Sequence, residues 1–149
     1  MVINSKNFFL IAVFVVLLDQ LTKFLIISSK SNLPFEVASG IGITYTSNTG
    51  IAFGLFQGNN LLLIVLSSAV VALILRYRSK LENNFEKVAA ALILAGTIGN
   101  LIDRITRGSV VDYIYVKGFP TFNLADTALT FGAMLIIFAY LKDKFKQQH

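Results

Sequence analysis

Apolar residues fall into four long blocks, about Phe8 to Ile27, Leu61 to Leu75, Val88 to Ile105 and Ala125 to Leu141. Each approaches the ~20 residues that cross a ~30 Å hydrocarbon layer. A segment solvated by lipid must satisfy its backbone hydrogen bonds internally, so the pattern predicts four transmembrane helices. The first block carries Asp19, Gln20 and Lys23 and is followed by no small-residue cleavage site, so it reads as a retained helix. Between the first two blocks lies a long loop, residues 28 to 60. Within it Ile41, Ile43 and Tyr45 alternate with Gly42, Thr44 and Thr46, the period of a short half-exposed strand. Asn48-Thr49-Gly50 supplies turn chemistry, and Gly54 and Gly58 loosen the remainder of the loop. A loop of that length in a small protein points to function. The connection from Thr106 to Phe122 holds a β-prone run, Ser109 to Val116, and then Gly118-Phe119-Pro120. The expectation is one domain, residues 1–149, of the all-α membrane class: four transmembrane helices with a small exoplasmic β-sheet formed by the long first outer loop.

Composition narrows this further. The 149 residues are 55% hydrophobic and 14% charged, with mean hydropathy +0.70, against about 25% charged in soluble domains. That excludes disorder and argues against a soluble globule. No cysteine is present, which removes disulfides, a thiol nucleophile and thiolate metal sites. The single histidine is the terminal His149, which leaves no His metal cluster or His base. No cofactor is expected. The net charge of +5 is a topology signal rather than a nucleic-acid footprint. One side of the membrane would carry eight basic residues, Lys6, Arg76, Arg78, Lys80, Lys87, Lys142, Lys144 and Lys146. The other would carry four, Lys30, Arg104, Arg107 and Lys117, with Lys23 inside the first helix. The richer side is cytoplasmic by the positive-inside bias, so both termini are placed there.

That orientation gathers the unusual polar residues at the exoplasmic leaflet, where ionisable groups at membrane depth read first as functional. Asp19 and Lys23, four apart, share a helix face and can pair, either as a purely structural ion pair or as a tether beside a site. Asn100, Asp103 and Arg104 share another face, flanked by Gly96 and Gly99, which permit close helix approach; Arg104 also has a reading as an interfacial snorkel. Asn123 can cap the fourth helix with Asp126 at its third position, an architectural role for that carboxylate. Asp112 can equally be a solvated loop carboxylate. With His and Cys excluded, hydrolysis leaves a carboxylate pair, a Ser–Lys pair using Lys23, or a metal held by Asp103, Asp112 and Asp126. Two close carboxylates cannot both ionise cheaply and share a proton, one activating water while the other polarises a carbonyl. A small transporter or ion relay, and an assembly factor, are the competing classes.

Four separated motifs carry a resemblance: Asp19-Gln-Leu-Thr-Lys23; Asn48-Thr-Gly50-Ile-Ala52-Phe-Gly54; Gly99-Asn100-Leu-Ile-Asp103-Arg104 followed by Gly108-Ser-Val-Val-Asp112-Tyr; and Phe122-Asn123-Leu-Ala125-Asp126. In that order they resemble the bacterial lipoprotein signal peptidases (signal peptidase II) across nearly the whole chain. The resemblance implies an aspartic endopeptidase of the bacterial cytoplasmic (inner) membrane that cuts diacylglyceryl-modified prolipoproteins just before the lipidated cysteine. It implies Asp112 and Asp126 as the catalytic pair. Asn48, Gly50, Asn100, Asp103, Arg104, Asn123 and Ala125 would line or support the pocket, with Asp19 and Lys23 behind them. It further implies a monomer in the lipid bilayer, a diacylated prolipoprotein as partner, and inhibition by globomycin-type cyclic peptides. Two features depart from the family pattern: Tyr113 stands where Phe is common, and the link from Asp112 to Asp126 is short.

Overall fold

The computed structural model describes residues 3–50 and 55–146. Four helices, α1 (Ser5–Ser28), α2 (Asn60–Tyr77), α3 (Asn84–Arg107) and α4 (Leu124–Lys146), are joined by three strands, β1 (Phe35–Ala38), β2 (Ile41–Asn48) and β3 (Val110–Val116). All four helices are long and apolar enough to cross a membrane. Local chemistry sets their ends. Asn4 and Asn83 cap α1 and α3 by accepting from the backbone N–H groups of Asn7 and Glu86, satisfying donors that the first helical turn leaves unpaired. Gly108 closes α3 in a left-handed conformation, φ 77°, which a glycine adopts without strain. That turn delivers the chain straight into β3.

Helix α3 is the centre of the bundle and packs against the other three. Its buried positions include Ala89, Ala90, Ala91, Ala95, Gly96 and Gly99, small residues that let neighbouring backbones come close in the absence of a hydrophobic force between helices in lipid. A Cβ on Gly96 would strike the Ala125 carbonyl oxygen and come within 2.7 Å of the Leu129 side chain, and one on Gly99 would come within 2.6 Å of an Asp19 carboxylate oxygen. Towards the N-terminal half of α3, Phe8 and Ala12 of α1 close an apolar core with Ala91 and Leu94. The other faces of α1, α2 and α4 present large apolar side chains outwards, such as Phe14, Leu17, Leu61, Leu73, Met134 and Tyr140, the surface expected of helices solvated by acyl chains.

Both strand-bearing connections leave the same end of the bundle, and they build one antiparallel sheet in the order β1–β2–β3. The first loop therefore supplies two strands, and the third comes from residues 110–116. Pairing of Thr46 with Asp112 and Asn48 with Val110, after a bulge between Ile43 and Thr46, sets Asn48 diagonally across from Asp112 on one face. The latter part of the second motif, Ile51 to Gly54, lies outside the described residues.

Replacing Gly96 by Leu forces α3 and α4 apart. We expect a loss of roughly 1–3 kcal/mol, read as a lowered Tm of the detergent-solubilised protein; an unchanged Tm contradicts the close approach.

Candidate active site

The polar end of the bundle is built on a buried charge. Lys23 is fully buried, and its Nζ lies 2.9 Å from Asp19 Oδ2 and 3.0 Å from Asp103 Oδ2, and donates to Asn100 Oδ1 at 3.0 Å. Three ammonium protons thus meet three oxygens. A buried ion costs several kcal/mol unless it is paired and its remaining hydrogen-bonding capacity is used, and here each carboxylate is saturated further. Asp19 Oδ1 accepts from Ala125 N at 2.9 Å. Asp103 Oδ2 accepts from Val111 N at 3.1 Å, while its Oδ1 pairs with Arg107 and accepts from Gln20 Nε2 at 3.2 Å. The ion cluster consequently ties α1, α3, β3 and the first turn of α4 to one another. The spacing of Asp19 and Lys23 on one helix face foretells their pair; it says nothing of Asp103 joining them from another helix.

In front of this cluster stand Asp112 and Asp126, and one residue touches both. Asn123 Nδ2 donates to Asp112 Oδ1 at 2.7 Å, and Asn123 N donates to Asp126 Oδ2 at 3.1 Å. Asp126 N returns a bond to Asn123 Oδ1 at 2.9 Å, so the capping arrangement read in the sequence is present and reciprocal. Asp126 Oδ1 accepts from Asn100 Nδ2 at 2.8 Å, and Asp112 Oδ2 from Asn48 Nδ2 at 2.8 Å. Asp112 is not a solvated loop residue: it lies in β3 and is 1% exposed. Arg104 is buried as well, not snorkelling, and its guanidinium donates to the Gly50 carbonyl at 3.1 Å. That bond and the Asx turn from Gly50 N to Asn48 Oδ1, 2.9 Å, hold the loop that presents Asn48. A Cβ at Gly50 would come within 2.6 Å of the Leu55 carbonyl oxygen, so this turn needs glycine.

Asp112, Asp126, Asn48, Asn100 and Arg104 open onto a single cavity of about 930 Å³. Its polar rim lies at the sheet end. Leu63, Leu66 and Val70 of α2, Ile93 of α3 and Leu129 of α4 carry its wall down between the helices. Asp19, Lys23, Asp103 and Ala125 stay behind this surface, where Ala125 contributes its backbone N–H to Asp19. Among the described residues no three acidic or histidine side chains are grouped as a metal site would require; Asp103 is turned to the ion cluster and away from the other two carboxylates. Lys23 is bonded to carboxylates and an amide, not to a serine, which leaves the Ser–Lys alternative without its pair. The pairing of every charge in the cluster also removes the motive for an ion relay.

Sequence reasoning missed three contributors. Gln20 bridges Asp19, Asp103 and the Gly99 carbonyl, and Arg107 neutralises Asp103. Tyr113 donates to Thr22 Oγ1 at 2.9 Å, pinning β3 to α1 beside Asp112. The four-residue spacing of Asp103 and Arg107 was a usable signal; the other two need the folded chain.

Burial pushes the Asp112 carboxyl up to about 6, with Asp126 adding to the rise and the Asn48 and Asn123 hydrogen bonds opposing it. A carboxyl that titrates higher folded than unfolded favours the fold most when both states are protonated. Stability conferred at Asp112 is therefore full below about pH 4 and lost as pH rises through about 6. We expect this to remove on the order of 2 kcal/mol between those limits, seen as a fall in Tm across pH 4–6.5 that is absent in Asp112→Asn; identical pH profiles for the two proteins contradict it.

Known proteins match this architecture. A family model described as signal peptidase (SPase) II matches residues 11–142. The chain is 41% identical over 152 aligned residues to a lipoprotein signal peptidase of Chlorobium phaeobacteroides strain BS1, covering 89% of this chain and 94% of that one. It is 42% identical over 142 residues to the lipoprotein signal peptidase of Staphylococcus aureus strain JH9, covering 90% and 87%. Two solved structures described as bacterial membrane enzymes superpose with TM-scores of 0.89 and 0.85, each at 38% identity, covering 94% and 93% of this chain and 90% and 95% of theirs. With four membrane-length helices, a small sheet over one end and this degree of likeness, the chain belongs to the signal peptidase II family of multi-pass membrane proteases.

Proposed function

We propose that this protein is an aspartic endopeptidase that removes the signal peptide from diacylglyceryl-modified prolipoproteins, cutting just before the lipidated cysteine. The observation that carries the reading is the Asn123 bridge: one residue holds both Asp112 and Asp126 at the rim of one cavity. Carboxylates so placed share a proton. The ionised one draws a proton from water while the water oxygen bonds to the scissile carbonyl carbon, and the protonated one hydrogen-bonds and then protonates the carbonyl oxygen. Collapse of the resulting diol breaks the C–N bond and hands a proton to the departing amine. No covalent enzyme intermediate and no metal enter this scheme.

The cavity's two characters support the substrate class. Its polar rim suits an extended peptide segment, and its apolar wall between α2, α3 and α4 suits acyl chains and an apolar signal segment. The charge bias of eight basic residues against four supports both termini in the cytoplasm of a bacterial inner membrane and the carboxylates facing the exoplasmic side. The enzyme acts as a monomer, and a globomycin-type cyclic peptide blocks it by filling the same rim.

Asp112→Asn and Asp126→Asn should each lower cleavage of a diacylated prolipoprotein by at least ~100-fold while the protein remains folded in detergent. Normal cleavage by either variant overturns the assignment. Incubation with a chelator should leave the wild-type rate unchanged, and a loss restored by added divalent cation would indicate a metal hydrolase instead.

A further inference from the structure

We propose that Lys23, which contacts neither reacting carboxylate, sets their division of labour: acting through the Asn100 amide, it holds Asp126 as the ionised member and leaves Asp112 to carry the proton. This rests on the reading of Asp112 and Asp126 as the reacting pair, and it adds which of them does which.

The two ends of an asparagine amide are nearly the same shape, and only its partners fix its orientation. Asn100 Oδ1 faces two donors, Lys23 Nζ at 3.0 Å and Asn123 Nδ2 at 3.2 Å. An ammonium has no lone pair, so the NH₂ end of Asn100 cannot be turned towards Lys23 without setting donor against donor. The NH₂ end is therefore committed to Asp126 Oδ1, 2.8 Å away. The other Asp126 oxygen takes the backbone N–H of Asn123, a donor that cannot rotate away. Asp126 also sits in the first turn of α4, where the helix dipole favours a negative charge.

Asp112 has none of these advantages. Its two donors are neutral side-chain amides, Asn48 Nδ2 and Asn123 Nδ2. The latter divides two hydrogens among Asp112 Oδ1, Asn100 Oδ1 and the Val111 carbonyl. Asp112 belongs to a strand, with no helix terminus beneath it. The remaining charged and titratable groups do not reverse the asymmetry. From α1 comes Asp19, paired with Lys23. From α3 come Asp103, paired with Lys23 and Arg107, and Arg104, which attracts both Asp112 and Asp126. Tyr113 of β3 donates to Thr22.

Ionised Asp126 accordingly takes the proton from water as the oxygen–carbon bond forms, and Asp112 gives its proton to the carbonyl oxygen. In breakdown Asp112 recovers a proton from the diol, and Asp126 passes its own to the amine nitrogen as the C–N bond breaks. Lys23 is a positioning residue in this scheme.

The test is the pH dependence of kcat/KM for cleavage of a diacylated lipobox peptide by the full-length protein in lipid. Asp19→Asn combined with Lys23→Met removes one charge of each sign and leaves Asp103 paired with Arg107. The acid limb of its profile should move to higher pH by about 1 unit, the size of a shift from losing one charge-oriented hydrogen bond, with the alkaline limb in place. Asn100→Ala, which leaves the ion pairs of Lys23 intact, should give the same displacement, and adding it to the double variant should displace the limb no further, because both act on one contact. A uniform fall in rate at every pH, from either variant, overturns the proposal, and so does an additive displacement in the combined variant. Should the double variant fail to fold, Asn100→Ala alone decides: a displaced acid limb supports the proposal and an unmoved one ends it. The two failures are distinguishable. An active Asp126→Asn enzyme ends the reading of the reacting pair, whereas an inactive one beside an unmoved acid limb in Asn100→Ala ends only the role given to Lys23.

Discussion

A fully buried ammonium cannot stand alone in a bundle solvated by lipid, and the way Lys23 is compensated dictates the geometry of everything around it. Desolvating each ion costs several kcal/mol even after relaxation, and only tight pairing with the remaining lone pairs satisfied returns it. The compensation is spread over several elements. Asp19 comes from α1 itself, Asp103 from α3, and each carboxylate reaches onward to a backbone N–H, at Ala125 and Val111. Those two amides begin α4 and β3, the elements that carry Asp126 and Asp112. Charge neutralisation thus fixes the two carboxylates of the cavity without touching either.

Close backbone approach is the second condition. The Asp19 carboxylate packs against α3 at Gly99, and the start of α4 lies against Gly96; any side chain at these points would hold the cluster open. Arg104 performs the matching task at the sheet side, gripping the Gly50 carbonyl while Asn60 at the start of α2 donates to the Arg104 carbonyl. The cavity rim is thereby tied to all four helices, yet the donors that touch Asp112 and Asp126 are asparagines and one backbone N–H. Asparagine suits the position: it supplies directed donors without adding charge to a pair that, in the proposed reaction, keeps one proton between its members.

Much of this was legible in the chain, for definite reasons. The four helices are written in runs of apolar residues, which lipid permits in no other backbone form, and β2 is written in the alternation of Ile41, Ile43 and Tyr45. β1, four exposed residues after Pro34, has no alternation between buried and exposed sides to announce it. The pairing of β2 with β3 is long-range and so carries no local signal, although Ser109 to Val116 is visibly β-prone. Polar residues at membrane depth mark the site region because burial there demands a partner. Who pairs with whom was legible only within one helix, as with Asp19 and Lys23. The reach of Lys23 to Asp103, the bond from Asn123 to Asp112 and the Tyr113–Thr22 bond join residues about ten to ninety positions apart, and only the packed bundle reveals them.

A single proton held between Asp112 and Asp126 is the centre of the proposed mechanism. Infrared difference spectroscopy of the carboxylic C=O stretch across pH 4.5–7.5, comparing the wild type with Asp112→Asn, reads that proton directly. A shared proton predicts a protonated-carboxyl band at pH 5 that bleaches with a midpoint near 6 and is missing from the variant. A wild-type protein whose carboxyl groups are all ionised by pH 5, as unperturbed side chains with pKa near 4 would be, contradicts it.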